Sequence, residues 1–184
     1  MNDRRENLER CGVVLYRSKY GAAKRYANWL SEEMGFDYTE IGKASWRAVE
    51  RCSTIVLCGG IYALGIAGLA FLRKNVSRLR GRKIAVLSVG ASPYEEKAFH
   101  ALAQHNLRGD LAGIPLFYGR GAWDEGRMTF GDRALCRLLQ RSIAKKDPQE
   151  LEPWMQALLC ASGQVCDWTD RSYLAPLLDY LQEK

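Results

Sequence analysis

The segment Tyr16 to Lys24, Y-R-S-K-Y-G-A-A-K, combines residue types that bind a phosphate group. It lies between an apolar run and an amphipathic helical pattern, so we expect a strand-to-helix turn. In such a turn the backbone N–H groups and the positive end of the helix dipole attract an anion. Gly21 allows a positive φ or a close approach of the backbone, and the Ser18 hydroxyl can donate a hydrogen bond. The same pattern also fits an ordinary strand–helix turn with one glycine.

The second segment whose residue types suggest chemistry is Asp132 to Lys146, which has the pattern of an amphipathic helix. The residues on its predicted face are Leu135, Leu138, Leu139, Ser142 and Ile143. Basic residues recur every four positions on a flank of that face: Arg133, Arg137, Arg141 and Lys145. Such a helix can lie on an anionic membrane or bind a partner helix. The alternative is a surface helix that covers the end of a sheet, with its basic residues in solvent.

Other chemistry-bearing residues form no recognisable site. The six cysteines, which we interpret as small buried residues or reduced thiols rather than disulfide or redox partners, contain no C-x-x-C pair. His100 and His105 do not share a helical face, so we expect them to be surface or packing residues. We find no Ser/His/Asp set, paired-carboxylate site, zinc spacing or nucleic-acid motif, and we predict no catalytic side chain and no metal.

Short apolar runs alternate with segments of helical period, which implies βαβ units, right-handed crossovers and a parallel sheet. The predicted strands cover residues 11–16, 37–41, 54–58, 83–89 and 114–118. The predicted helices cover residues 23–34, 45–52, 67–79, 93–105 and 172–181. Gly59 and Gly60 are expected to end the third strand, and Pro93 suits the first position of its helix. The segment of about residues 122–165 is too long for a connection and must contain structure of its own.

Composition places the chain among ordinary globular proteins. Its 184 residues are 47% hydrophobic and 26% charged, and no shift in composition marks a second domain, so we expect one domain over residues 1–184. The charged amino terminus lacks the apolar stretch of a secretory signal, which predicts a cytoplasmic location. The net charge of +6 favours nucleic acid, an anionic membrane surface or an acidic partner.

Several motifs resemble the flavodoxin-domain family. These are the loop at Tyr16 to Lys24 with Y-A-N-W-L after it, G-G-I-Y-A-L-G-I-A-G after the third predicted strand, S-V-G-A-S-P after the fourth, and V-C-D-W-T-D before the last helix. Within the family, the chain resembles the branch related to the menaquinone-dependent protoporphyrinogen IX dehydrogenases, over nearly its whole length. The resemblance implies a flavodoxin-like doubly wound α/β fold with a five-stranded parallel sheet of order 2-1-3-4-5. FMN would lie at the ends of the first, third and fourth strands, and an extra helical segment would follow the fifth.

The same resemblance implies three groups of cofactor-binding residues. The phosphate would be surrounded by Ser18, Lys19, Tyr20, Gly21, Ala22 and Ala23. One side of the flavin would meet the loop formed by Gly60, Ile61, Tyr62, Ala63 and Gly65. The other side would meet the loop formed by Ser88, Val89, Gly90, Ala91 and Ser92.

Two of these positions leave alternatives open. Tyr62 is expected to stack on the isoalloxazine ring, and the alternative is that it packs against its own loop. Ala23 stands where the family usually has threonine or serine, so one hydrogen bond to the phosphate is lost and FMN binding is expected to be weaker. Lys19, Lys24 or Arg17 can compensate by charge.

The function implied by the resemblance is that of an FMN-binding oxidoreductase. The flavin would accept electrons from a reduced, protoporphyrinogen-type substrate and pass them to a quinone, which needs no side-chain nucleophile. The basic helix would then hold the protein at the inner face of the membrane. The alternative is a flavodoxin-like electron carrier that acts with protein partners. A third possibility is an interaction domain that has lost its flavin, for which Ala23 is the only support.

Overall fold

The apolar runs of the sequence form the strands of a central sheet, in a computed structural model that describes residues 9–183. The strands are β1 (Glu9–Arg17), β2 (Asp37–Glu40), β3 (Cys52–Tyr62), β4 (Gly65–Ile66), β5 (Lys83–Gly90), β6 (Leu116–Arg120), β7 (Ala122–Asp124) and β8 (Val165–Asp167). Five of them form a parallel sheet of order β2-β1-β3-β5-β6, and β4 pairs antiparallel with the end of β3. The predicted parallel sheet and its strand order are confirmed.

Helices cover both faces of the sheet. They are α1 (Ala22–Met34), α2 (Trp46–Arg51), α3 (Leu69–Asn75), α4 (Glu96–Asn106), α5 (Phe130–Ile143), α6 (Pro153–Cys160) and α7 (Ala175–Gln182). One apolar cluster packs the sheet against α1 and α7 through residues such as Leu30 and Leu177. A second cluster packs the opposite face against α2, α3 and α4 through residues such as Val49, Leu72 and Leu102. Because each face of the sheet is buried, the central strands are continuously apolar.

The segment after β6 contains structure of its own, as the length of the sequence there predicts. Strands β7 and β8 form a separate antiparallel pair, and α5 and α6 lie between them in the chain. Helix α5 contacts α6. None of the helices within residues 9–183 is long and apolar enough to cross a lipid bilayer.

Two predicted boundaries are wrong for identifiable reasons. Strand β3 does not end at the glycine pair but continues to Tyr62. Gly59 allows another backbone segment to approach the strand closely and does not end it. A Cβ atom at Gly59 would lie 2.3 Å from the carbonyl oxygen of Ala67. Helix α4 begins at Glu96 instead of Pro93, because the Glu95 carboxylate caps the helix by accepting hydrogen bonds from two backbone N–H groups.

Candidate functional site

The loop between β1 and α1 forms a tight turn that ends at Gly21. Gly21 immediately precedes α1 with a φ of +103°, and a Cβ atom placed there would meet nothing within 4 Å. The Ser18 hydroxyl accepts a hydrogen bond of 3.0 Å from the Gly21 N–H, which closes the turn. Among the described residues, no side chain caps this end of α1. The first-turn N–H groups of a helix have no partner within it, so those of α1 are available to an acceptor outside the helix.

Donors of this loop converge on oxygen acceptors from two distant parts of the chain. The Tyr62 hydroxyl accepts a hydrogen bond of 2.9 Å from the Lys19 backbone N–H. The Asp132 carboxylate accepts hydrogen bonds from the Lys19 ammonium and the Tyr20 hydroxyl. These contacts raise the pKa of Lys19 and lower that of Asp132. Three donors of this loop, the Lys19 backbone N–H, the Lys19 ammonium and the Tyr20 hydroxyl, therefore bind oxygen acceptors in this structure.

The second loop is the hairpin that joins β3 to β4. Ala63 adopts a φ of +52° at its tip, a conformation that favours glycine. Asn106 on α4, which is only 6% exposed, anchors the hairpin through hydrogen bonds to its backbone. Its side chain accepts a hydrogen bond of 3.1 Å from the Ile66 N–H and donates one of 2.7 Å to the Leu64 carbonyl. Leu64 is 63% exposed on this hairpin. Tyr62 packs against its own loop, the second of the two alternatives that the sequence left open, since a Cβ atom at Gly60 would lie 3.0 Å from the Tyr62 ring.

The third loop follows β5, and β6 fixes its backbone. The Tyr118 hydroxyl donates to the Gly90 carbonyl at 3.2 Å, and the Arg120 Nε donates to the Ala91 carbonyl at 3.2 Å. Ser88 and Val89 lie within β5 and are buried, and the Ser88 hydroxyl donates to a carbonyl of β6. Of the five residues predicted in this group, Gly90 is the last residue of β5, and only Ala91 and Ser92 belong to the loop itself.

The structure brings the three loops to the carboxyl ends of β1, β3 and β5, where parallel sheets bind ligands. The second and third loops touch, since a Cβ atom at Gly90 would lie 3.0 Å from the Ile61 side chain. A Cβ atom at Gly121, just after β6, would lie 3.4 Å from the Ala22 side chain of α1. The predicted phosphate residues and the hairpin therefore belong to one continuous surface.

Ala23 does not face this surface with its side chain. It is 1% exposed, and its methyl group belongs to the apolar cluster that includes Tyr26 and Val14. Because its side chain is buried, Ala23 could contribute only its backbone N–H to a phosphate bound at this loop. Lys19 can supply the compensating positive charge, because it lies on the loop itself and already contacts a carboxylate.

Two tyrosines form hydrogen bonds between the elements that carry the site. The Tyr26 hydroxyl donates to the Arg120 carbonyl at 2.7 Å and accepts from the Asp170 N–H at 3.2 Å, which ties α1 to β6 and to the segment before α7. Burial raises the pKa of Tyr26 to about 12 and also raises that of Tyr118. Both remain neutral phenols at physiological pH and keep their donor hydrogens.

Sequence reasoning missed four residues of this site. Leu64 and Tyr94 are large side chains left 63% and 53% exposed on the second loop and just beyond the third. Each lies within or directly after a glycine-containing motif, so the motifs themselves could have identified them. Asn106 and Asp132 carry no local signal, because each acts on a segment at least 40 positions away in the chain.

Helix α5 exposes most of the face that its sequence pattern marks as apolar. Leu135 and Leu138 are 65% and 66% exposed, Leu139 is also exposed, and only Ile143 of the predicted apolar residues is buried. Phe130, at the first position of α5, is 88% exposed. The pattern therefore does not describe a helix whose apolar face covers the sheet.

Of the four basic residues in and just after α5, two contact other parts of the chain and two are exposed near the end of the helix. The Arg133 guanidinium donates to the backbone carbonyls of residues 125, 126 and 128, so it supports the preceding turn. Arg137 forms an ion pair of 3.4 Å with Glu125, whose pKa is lowered although burial acts to raise it, because Gly163, Gln140 and Arg137 donate to it. Arg141 and Lys145 are exposed near the carboxyl end of the helix.

Comparison with known protein families gives one match to the chain. A model described as a flavodoxin domain matches residues 13–150, a span that runs from β1 through α5 and contains all three loops of the site. None of the curated proteins compared with the chain matches it.

Solved structures with related folds are distant in sequence. A flavodoxin, WrbA-like protein from Agrobacterium tumefaciens is 17% identical with a TM-score of 0.48, and the alignment covers 84% of this chain and 98% of that one. The Trp repressor binding protein from Bacillus subtilis is 15% identical with a TM-score of 0.46, over 60% of this chain and 83% of that one. A flavodoxin from the domain Archaea is 12% identical with a TM-score of 0.39, over 69% and 91%.

Proposed function

Because the chain belongs to the flavodoxin-domain family, we propose that it binds FMN and acts as an FMN-dependent oxidoreductase. The observation that carries this proposal is the uncapped start of α1 beside Gly21, where loop donors converge on the acceptor oxygens of Asp132 and Tyr62. A phosphate group offers the same kind of acceptor with more charge, so it can take the place of both side chains. When bound, FMN would supply the transfer of electrons from a reduced substrate to an acceptor.

The protein's own contribution would be to bind and orient the cofactor. The N–H groups of the first turn of α1 and the Lys19 ammonium would neutralise the phosphate. Tyr62, Leu64 and Tyr94 would cover the flat ring system, which gives these exposed side chains an apolar surface to bury. Asn106 would act as a positioning residue, since it fixes the hairpin that carries Tyr62 and Leu64.

We further propose that the electron acceptor is a quinone and that α5 docks on an anionic membrane surface to reach it. Three observations support this docking: the exposed Phe130, the exposed leucines of α5, and the basic Arg141 and Lys145 beside them. An apolar face flanked by cations matches the interface of a bilayer that contains anionic lipids. The contact between Asp132 and Tyr20 brings the first turn of α5 to the phosphate loop, so a membrane under α5 would lie next to the flavin.

The resemblance of the loop motifs supports a protoporphyrinogen-type substrate as the electron donor. A flavodoxin-like electron carrier is the second candidate, because the exposed apolar face of α5 would also fit the surface of a protein partner. The two candidates differ in what the reduced, FMN-loaded protein reacts with. An enzyme would be reoxidised by a small quinone and would oxidise a porphyrinogen, whereas a carrier would need a redox protein.

The first test is titration of the purified protein with FMN, followed by flavin fluorescence and visible absorbance. We expect saturable binding with one flavin per chain. The loaded protein is then reduced anaerobically and screened with short-chain quinones, and separately supplied with porphyrinogens in the presence of the quinone that reoxidises it fastest. A protein that leaves the fluorescence and absorbance of FMN unchanged at every concentration would contradict the flavin proposal and support the interaction domain.

A further inference from the structure

Cys11 and Cys52 come together at the end of the sheet opposite the phosphate loop. Cys11 lies near the start of β1 and Cys52 is the first residue of β3. The Cys11 thiol donates to the Cys52 sulfur with a distance of 2.8 Å between the two Sγ atoms. A disulfide bond is about 2.05 Å long, so the two sulfurs need to move less than about 1 Å to bond.

A β-bulge explains why two neighbouring strands bring these side chains together. Glu9 pairs with Cys52 and Gly12 pairs with Thr54, so three steps along β1 match two steps along β3. The extra residue of β1 falls beside Cys11, and bulges of this kind redirect a side chain. In a regular pair of parallel strands the side chains of the two strands run side by side, and no side chain is redirected in this way.

The backbone on both sides of the pair is held in place. The Ser53 hydroxyl donates to the Cys11 carbonyl at 3.2 Å, and the Arg82 Nε donates to the Cys52 carbonyl at 3.0 Å. The Cys52 thiol in turn lies 3.5 Å from the Ala48 carbonyl, which accepts its hydrogen bond. These hydrogen bonds support the backbone positions that bring the two sulfurs together.

The pair can be reached from solvent through one partner. Cys11 is half-buried and Cys52 is 7% exposed, and both line a cleft of about 380 Å³ together with residues such as Asp37 and Thr39. Cys11 is the more exposed of the two thiols, so a small reagent meets Cys11 before Cys52. This asymmetry assigns Cys11 as the first thiol to react and Cys52 as the resolving thiol.

We propose that Cys11 and Cys52 form a reversible intramolecular disulfide when the protein meets a low-molecular-weight disulfide such as oxidised glutathione. The Cys11 thiolate attacks one sulfur of the oxidant, which forms a mixed disulfide and releases one reduced thiol. The Cys52 thiolate then attacks the Cys11 sulfur, which forms the protein disulfide and releases the second reduced thiol. Two protein thiols lose two protons and two electrons, and one external disulfide is reduced to two thiols. This proposal is independent of flavin binding.

The test is mass spectrometry of the full chain after reaction with oxidised glutathione, acid quenching, unfolding in denaturant and alkylation. We expect the intact protein to lose the mass of two hydrogen atoms, four cysteines to be alkylated, and a peptide map to link Cys11 to Cys52. Cys52→Ser should instead trap glutathione on Cys11. If that variant does not fold, Cys52→Ala can replace it, and the peptide map of the wild-type protein tests the link by itself. The matched control is Cys160→Ser, which removes an exposed cysteine and should leave the link unchanged.

Three results would overturn the proposal. They are a wild-type protein whose Cys11 and Cys52 both remain alkylatable, a stable glutathione adduct on wild-type Cys11, and a link that joins Cys11 or Cys52 to another cysteine. The first would mean that the two thiols are packed together without reacting. The second would mean that Cys52 cannot reach the mixed disulfide.

Discussion

Lys19 in the phosphate loop and Asp132 in the first turn of α5 form an ion pair although they lie 113 positions apart in the chain. The same carboxylate accepts a hydrogen bond from the Tyr20 hydroxyl, so two of its donors belong to the loop that we propose for the FMN phosphate. A carboxylate and a phosphate cannot both occupy these donors without repulsion between like charges. If FMN binds as proposed, Asp132 would therefore compete with its phosphate for these donors.

Removal of the Asp132 charge should strengthen FMN binding. Asp132→Asn keeps the shape of the side chain but releases Lys19 for the phosphate, and we expect roughly a tenfold lower Kd at low salt, with a smaller difference as salt screens the charges. Fluorescence titration at several salt concentrations measures both effects. Asp110→Asn, an exposed aspartate away from the loop, is the matched control and should leave the Kd unchanged. Weaker binding by Asp132→Asn would mean that the carboxylate supports the loop instead of competing with the phosphate.

A methyl group at Gly21 should prevent FMN binding. Gly21→Ala forces a left-handed conformation on an L-residue and places a Cβ atom in the open space beside the first turn of α1. Gly163→Ala is the matched control, because Gly163 also has a positive φ and open space but lies away from the site. Both variants should lose about 1–2 kcal/mol of folding stability, and only Gly21→Ala should lose flavin affinity. Equal affinities in the two variants would place the phosphate elsewhere.

The alternation of strands and helices and the strand-to-helix turn at Gly21 could be predicted from the sequence because each depends on a local pattern, whereas the order of the strands followed only from the resemblance to the flavodoxin-domain family. The run from Cys11 to Tyr16 is apolar throughout, and the switch to helical period after Gly21 marks the turn. Contacts between distant segments could not be predicted in this way. Nothing near Asp132 indicates that it reaches Lys19, and nothing near Asn106 indicates that it holds the hairpin at Leu64.

The exposure of the α5 leucines also depends on distant contacts. Periodicity identifies which residues share a helical face, but not whether another element covers that face. In α5 the buried positions are Gln140 and Ile143, on the side that packs towards α6. Leu135 and Leu138 lie on the uncovered side, which is why the same pattern allowed both a covered helix and a docking helix.

Asn106 should be needed for both stability and flavin affinity. Asn106→Ala removes a side chain that makes three hydrogen bonds in the protein interior, to the Ile66 N–H and to the carbonyls of Leu64 and Leu102. Leaving these backbone groups unpaired should cost about 1–3 kcal/mol of unfolding free energy and loosen the hairpin. Urea denaturation and FMN titration measure the two effects. Asn28→Ala, which removes a hydrogen bond to Glu32 within α1, is the control and should change stability by less.

The loss of positive charge near the end of α5 should abolish binding to anionic vesicles. We expect wild-type protein to sediment with vesicles that contain phosphatidylglycerol and to be released by 1 M salt, at which the screening length is about 3 Å. Reversal of Arg141 and Lys145 to glutamate should prevent sedimentation while FMN affinity is retained. The control reverses Lys97 and Arg108, which are exposed in and after α4, and so carries the same net charge. Equal loss of binding in both double variants would indicate attraction by net charge rather than docking through α5.

Formation of the Cys11–Cys52 disulfide should raise the thermal stability of the protein. The link would join residues 41 positions apart and so restrict the unfolded chain more than the folded one, whose sulfurs already touch. Disulfides that close loops of this length typically contribute about 2–4 kcal/mol. For a chain of this size each kcal/mol raises Tm by about 2–4 °C. The oxidised wild-type protein should therefore melt roughly 5–15 °C above the reduced one, and a reductant should remove the difference.

The comparison of oxidised and reduced protein should be repeated with Cys11→Ser and Cys160→Ser. Cys11→Ser should show no difference in Tm, because the link cannot form, whereas Cys160→Ser should behave like the wild type. FMN affinity should be the same in oxidised and reduced protein, since the pair lies at the opposite end of β1 from Gly21. A lower Tm for the oxidised wild type would mean that the bond distorts the bulge of β1, because native-state strain would then outweigh the restriction of the unfolded chain.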